Sequence, residues 1–240
     1  MSISKPPILR SLLATFSLRI RAAEIPRWRA AFVELSGRRL DLLHNHKGDT
    51  DYHYRYPLIQ YRSRQGKAAI LALNEGVMAI QEALSQNSWQ IRWQGKAFDL
   101  QIDNLELQEY ELCIWPKLRT YHLHRWIALN EENYERWCQT PHLIARVALL
   151  ERVLVGHIFR FASAVAWQLP ERLEVHISNI KRQTWTRVHG TRLMAFELVY
   201  QSNVFLPPLI GLGKAVSHGY GWQTAGRGES AVMKVFRQQA

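Results

Sequence analysis

Pro57-Leu-Ile-Gln-Tyr-Arg-Ser-Arg-Gln-Gly-Lys-Ala-Ala-Ile-Leu-Ala-Leu-Asn74 carries two apolar strands joined by a turn. Residues 57–62 form a short strand, Gln65-Gly66 is a turn signal and residues 67–73 return, so the stretch predicts a β-hairpin. Asn74 stands where it can cap a helix over about residues 76–84, whose Val77, Ile80 and Leu84 share a face. Upstream, residues 11–22 read as a strand through Leu12, Leu13, Phe16, Leu18 and Ile20. Residues 25–36 then read as a helix with Pro26 in its first turn and Gly37 at its stop. Its Trp28, Ala31, Phe32 and Leu35 fall at helical spacing. Downstream, residues 89–93 and 98–107 read as strands. The order β-α-β-β-α-β is the ferredoxin-like arrangement, which RNA-recognition domains share.

A second, looser cycle follows. Residues 121–128 read as a strand, and Thr140-Pro141 opens a long amphipathic helix to about Trp167. Residues 172–182 and 185–200 read as a strand pair turning near Gln183. An apolar connector, 205–210, leads to a glycine-rich run; residues 223–230 read as a loop and 233–236 as a last strand. Trp115-Pro116-Lys117 reads as the linker. The expectation is an α+β chain of two tandem ferredoxin-like domains, 1–116 and 117–240, the second degenerate.

Composition narrows the function classes. Among 240 residues, Lys and Arg total 31 against 20 Asp and Glu, a formal charge of +11 that favours a polyanionic partner. Hydrophobic residues reach 47%, enough for one or two cores. Cys113 and Cys138 form no Cys-x-x-Cys pair and no zinc set, and a reduced, cytoplasmic setting is expected. The N-terminus shows no signal-peptide pattern. The most apolar long stretch, 143–167, is broken by Arg146, Glu151, Arg152, His157 and Arg160, which argues against a membrane span.

Two segments carry chemistry. In Gly211-Leu-Gly-Lys-Ala-Val-Ser-His-Gly-Tyr-Gly221, two Gly-x-Gly pairs enclose Lys214, Ser217 and His218. Gly211, Gly213, Gly219 and Gly221 permit positive φ and close approach of backbone N–H groups to a phosphate. The run is neither a Walker loop nor a dinucleotide fingerprint. Residues 42–56, without periodicity, read as a loop holding His44, His46 and His53 among Tyr52, Tyr54 and Tyr56, with Lys47 and Arg55 adding charge. RNA is cut without metal when its own 2′-hydroxyl attacks the adjacent phosphate. That step needs a base, an acid and stabilisation of the phosphorane; histidine, tyrosine, lysine and arginine supply these. His46 is the first candidate for proton transfer and Tyr54 the second; His44 competes for the first role, Tyr52 and Tyr56 for the second. A metal reading would need His44 and His46 joined by Asp49 or Asp51, and the ligand spacing is incomplete, so no cofactor is expected. Lys181, Arg182, Arg187 and Arg192 surround Trp185 on the expected strand pair, a basic surface suited to RNA. His157, Trp126, Phe159 and Phe161 read as structural.

The stretch from Asn203 to Gly221 resembles the C-terminal glycine-rich motif of the CRISPR-associated repeat-processing endoribonucleases. His44-Asn-His46 followed by Tyr54-Arg-Tyr56 resembles that family's histidine-containing loop, and Asn74-Glu-Gly76 fits one of its branches. The resemblance implies an endoribonuclease that cleaves precursor CRISPR RNA within its repeats, leaving a 5′-hydroxyl and a 2′,3′-cyclic phosphate. It implies repeat RNA as partner, held by the glycine-rich loop, and allows other CRISPR effector proteins and a homodimer. The alternative is a repeat-RNA-binding subunit of an effector complex without competent acid and base groups.

Overall fold

The computed structural model describes residues 6–36, 46–47, 51–52, 56–85, 89–169 and 173–226. The chain forms two compact units. One gathers Ile8–Glu111 with Ser217–Gly219; the other gathers Leu112–Val216 with residues 220–226.

The first unit runs β1 (Ile8–Arg19), α1 (Ile25–Leu35), β2 (His46–Lys47), β3 (Asp51–Tyr52), β4 (Ile59–Arg64), β5 (Lys67–Leu73), α2 (Glu75–Leu84), β6 (Gln90–Trp93), β7 (Lys96–Asp99) and β8 (Ile102–Glu111). Its main sheet has the order β4-β5-β1-β8, antiparallel throughout, which is the ferredoxin-like order. Alternation on β1 sends Leu12, Ala14, Phe16 and Leu18 into the core, where they meet Trp28 and Phe32 of α1 and Val77 and Ile80 of α2. Phe16 and Trp28 lie 5.0 Å apart between ring centroids, and Trp28 and Phe32 5.4 Å. The buried Trp28 Nε1–H donates to Ala69 O at 3.3 Å, so the largest side chain of the core is also satisfied. The hairpin turns at Gln65 and Gly66, both at positive φ (50° and 76°), as a tight two-residue loop requires.

Asn74 differs from the reading above. Its side chain does not cap α2; Oδ1 accepts from Arg10 N at 3.1 Å while its own N–H donates to Arg10 O at 3.0 Å, which fastens the helix entrance to β1. The strand expected over 98–107 is two strands, β7 and β8, because Leu100 is buried between them and donates its N–H to Trp89 O.

The second unit runs β9 (Ile114–Trp126), α3 (Glu131–Gln139), α4 (Leu143–Ala164), β10 (Val175–Val188), β11 (Thr191–Val204) and β12 (Trp222–Ala225). Its sheet order, β10-β11-β9-β12, repeats the order of the first unit strand for strand. The helix that should join β11 to β12 is missing. Residues 205–221 replace it, with one 3-10 turn at Val216–His218.

Several expectations change here. Trp115, Pro116 and Lys117, read as a linker, belong to β9. Pro116 is accommodated because it falls in the register shift between the Ile114↔Val204 and Arg119↔Ser202 pairs, where its missing N–H breaks no ladder bond. The strand pair turns at His189 and Gly190 (φ 48° and 81°), and Gln183 sits mid-strand opposite Phe196. Helix α3 was not expected; Asn130 caps it by accepting from Asn133 N at 2.8 Å. Gln223, expected in a loop, is buried in β12, and the strand expected over 233–236 lies outside the described residues. Trp126 and Phe161 are core as expected, whereas Phe159 is exposed. Among the described residues no helix is long and apolar enough to cross a membrane.

Candidate nucleic-acid interface

In the first unit, His44, His53, Tyr54 and Arg55 lie outside the described residues. The short β2–β3 ladder sets His46 opposite Tyr52 and Lys47 opposite Asp51. The hydroxyl of Tyr56 ends a chain of hydrogen bonds. Gln60 Nε2 donates to Tyr56 Oη at 2.8 Å and to Pro57 O at 3.0 Å. Arg62 Nη2 donates to Gln60 Oε1 at 2.5 Å, and its Nη1 donates to Tyr61 O at 3.2 Å. Arg62 is buried; burial pushes its guanidinium down to about 10, against an opposing pull from Tyr56, so it stays charged at neutral pH. A buried cation thus stands behind Gln60 and orients the amide whose N–H reaches Tyr56.

In the second unit the glycine-rich run closes on itself. Leu209 N–H donates to Gln223 O, Gln223 N–H to Ile210 O and Leu212 N–H to Gly221 O. Lys214 N–H and Gly221 N–H donate to Ile127 O and Arg125 O of β9 and its extension. A Cβ at Gly221 (φ 65°) would lie 1.8 Å from Leu212 O, and one at Gly213 (φ 94°) would lie 2.7 Å from both Ile127 O and Trp126 Nε1. Both positions therefore demand glycine for the packing of the chain on itself, whatever ligand the loop holds.

Buried polar side chains clamp the base of this loop. Gln223 Nε2 donates to Leu206 O and Pro207 O, both at 3.0 Å, and its Oε1 accepts from Tyr200 Oη at 2.6 Å. Tyr121 Oη donates to Val204 O and accepts from Leu206 N. Tyr220 bonds Thr186 of β10 through its hydroxyl at 2.6 Å, packs on Ile127 and Ala195, and carries the Arg125 guanidinium 4.2 Å from its ring centre. Lys214 is half-buried, and burial, with Arg160 adding and Glu131 opposing, lowers its pKa. His157 is structural: Trp126 Nε1–H donates to its Nδ1 at 3.2 Å. Burial, reinforced by Arg160 and Lys214, pushes it down to about 3, so it is a neutral acceptor.

Both halves match models of one family. Residues 8–111 match the Cas6b N-terminal domain, and residues 113–225 the Cas6b C-terminal domain. The chain belongs to the Cas6b family. The resemblance to the CRISPR repeat-processing endoribonucleases therefore holds across nearly the whole sequence. Among solved structures, a crystal structure of Cas6b superposes with a TM-score of 0.81 at 20% identity, covering 91% of this chain and 100% of that one. A second, described as the CRISPR RNA processing endoribonuclease Cas6b, gives 0.70 at 19% identity over 91% and 100%. The type IV Cas6 CRISPR RNA endonuclease Csf5 gives 0.58 at 13% identity over 90% and 99%. At these identities the likeness is one of fold, and it confirms two tandem ferredoxin-like domains. An uncharacterised protein of Methanocaldococcus jannaschii is 28% identical over 96 residues, 40% of this chain. That match spans 64% of the relative's length.

Within this Cas6b-family framework the basic residues of the hairpin are brought together on β10. Lys181, Arg182 and Arg187 are exposed there, and Arg187 pairs directly with Arg192 of β11. The Arg192 guanidinium sits 4.3 Å from the centre of the Trp185 ring, which also meets Tyr134 of α3 at 6.1 Å. Trp185 remains 46% exposed, so the aromatic reading of this hairpin as a wet surface stands over an inward-packed one. Ser217 and His218 lie in the 3-10 turn, and Gly219 follows them. Sequence reasoning missed Gln60, Arg62 and Gln223. Two polar residues at alternate positions of an apolar strand were the available signal for the first pair; nothing local marked Gln223.

Proposed function

We propose that the protein cleaves precursor CRISPR RNA within its repeats by attack of the 2′-hydroxyl on the adjacent phosphate, without a metal. The match of both halves to the Cas6b family carries this reading. In the step, a base removes the 2′-hydroxyl proton as the 2′-oxygen bonds to phosphorus. The bond to the 5′-oxygen breaks, and an acid returns a proton to that oxygen. The products carry a 2′,3′-cyclic phosphate and a 5′-hydroxyl. His46 takes the first proton-transfer role, with His44 its competitor, and Tyr54 takes the second. Tyr56, held by Gln60 in front of the buried Arg62 charge, supports the same segment as a positioning residue. Lys47, Arg55, Lys181, Arg182, Arg187 and, in the loop, Lys214, Ser217 and His218 hold phosphates, on a frame shaped by Gly211, Gly213, Gly219 and Gly221, a role suited to the chain's excess of cations.

The test incubates the full chain with its repeat RNA in EDTA, beside the same RNA carrying a 2′-deoxy group at the cut site. Cleavage of the first and intact binding of the second is the expected result. His46→Ala should slow cleavage by about 100-fold or more, the usual contribution of a general acid or base. Loss of activity in EDTA would end the metal-free step. Binding of both RNAs with cleavage of neither would end the nuclease reading, and wild-type cleavage by His46→Ala would pass the role to His44 or His53.

A further inference from the structure

The helices of the second unit cover one face of its sheet. Phe196 meets Trp137 of α3 at 5.3 Å between ring centroids, and Trp126 reaches His157 of α4, so the face of Tyr121, Leu123, Phe196, Leu198 and Tyr200 is the buried one. The strand pairs Thr224↔His122, Trp222↔His124 and His122↔Val199 place these residues on the opposite face, where all are half-buried. Three of them are flat rings in near-parallel planes. His124 stacks on Trp222 at 4.1 Å and 20°, and His122 lies 6.5 Å from His124 at 18°. A sheet face turned to solvent ordinarily carries Thr, Lys and Glu; a row of aligned rings across its two adjacent strands β9 and β12 needs another reason.

The polar groups around the rings bring positive charge beside them. Lys181 is the extra residue of a register shift in β10, and it reaches across β11 so that Nζ donates to His122 Nδ1 at 3.1 Å. An ammonium has only donors, so Nδ1 of His122 is the acceptor in this contact. His124 Nε2 lies 3.4 Å from Thr224 Oγ1. Burial holds His124 below the usual imidazole range, His122 and Lys181 push it further down, and Glu197 opposes them. Arg182 stands on the same face opposite Glu197.

We infer that this face is a stacking platform for an unpaired nucleobase of single-stranded RNA, with His124, Trp222 and His122 under the base and Lys181 and Arg182 at its phosphates. Aligned rings offer a π-surface without sequence preference, and the flanking cations match a polyanion and no apolar ligand. The site rests on the repeat-RNA reading and adds to it a place for single-stranded RNA on the second unit alone.

The probe is a single-stranded oligoadenylate of about ten nucleotides with one internal 2-aminopurine, titrated against the full chain. Wild type should quench the 2-aminopurine on binding. His124→Ala should weaken binding about tenfold and remove most of the quench, the usual worth of one base–aromatic stack. His124→Phe, which keeps a ring, should retain both within about twofold. Absence of quench with wild type, or unchanged quench and affinity in His124→Ala, would overturn the platform and leave an electrostatic surface or rings that only pack on each other. Thermal melting monitors folding. If His124→Ala melts early, His122→Ala and His124→Phe decide: the first must weaken quench and the second must keep it. Cleavage of repeat RNA is followed on the same preparations. A wild type that quenches but cuts nothing keeps the platform and loses the nuclease; one that cuts without quenching loses only the platform.

Discussion

The two units cross from their third to their fourth strand in different ways. In the first, the crossover from β5 to β8 contains α2, which satisfies its own backbone and buries Val77, Ala79, Ile80 and Ala83. In the second, the crossover from β11 to β12 is the glycine-rich run, which has one 3-10 turn and borrows its hydrogen bonds from Ile127, Arg125 and Gln223. A helix needs a periodic apolar face and tolerates most residues elsewhere. A crossover without a helix needs particular residues at particular positions, because its backbone groups must find partners without the regular ladder of a helix. The second unit has thus exchanged a generic connector for one in which Gly213, Gly221 and Gln223 cannot be replaced by residues of similar polarity.

Matched glycine substitutions test this difference most strongly. Gly221→Ala combines a left-handed backbone, worth about 1–2 kcal/mol, with a Cβ 1.8 Å from Leu212 O. It should cost at least about 3 kcal/mol in urea denaturation. Gly76→Ala, at the start of α2, meets Leu58 O at 2.9 Å but gains helix propensity, so its loss should be smaller by at least half. Equal losses would break the comparison. Next in size, Gln223→Leu strips partners from Tyr200 Oη, Leu206 O and Pro207 O, and should lower stability by about 2–4 kcal/mol. A thermal midpoint equal to wild type would show that the clamp does not hold the loop. A third test is acid sensitivity. His157 has a folded value of about 3 against an ordinary 6.5. Between these values the unfolded chain binds a proton that the native chain does not. The stability is therefore complete above 6.5 and is lost as pH falls towards 3. His157→Phe should flatten the decline of melting temperature between neutral pH and about pH 4.5; an unchanged slope would assign the acid loss to other groups.

What was legible in the sequence was local. The hairpin at Lys67–Leu73 and helix α1 announce themselves through short-range periodicity and a Gln-Gly turn, and both stand where expected. The turn at His189-Gly190 and the Asn130 cap of α3 carried ordinary signals that the long apolar run after Thr140 overshadowed. The Gln223 clamp was not legible, since its partners lie 16, 17 and 23 positions away and its residue type looks like a loop. The stack of His124 on Trp222 depends on β12 pairing with β9, about a hundred positions apart, and no period in either segment predicts that register. The glycine motif was visible as a motif, but its first physical duty, close chain-on-chain packing, emerges only from the distances around Gly213 and Gly221.

The β10–β11 hairpin has 14 residues in each strand, yet β9 accompanies β11 only as far as the Phe196↔Trp126 pair. Beyond that point the ribbon has two strands, and two strands alone are marginal in water. Its outer part is tied back by the Thr186–Tyr220 bond and by Trp185 against Tyr134. Amide hydrogens along this sheet should therefore exchange with solvent at two speeds. Those of Leu198 and Tyr200, between β10 and β9, wait for global opening, whereas those nearer the turn are released by fraying of the ribbon. The most basic part of the hairpin is thus also its most readily opened part, and any polyanion that settles there is recorded as slowed exchange.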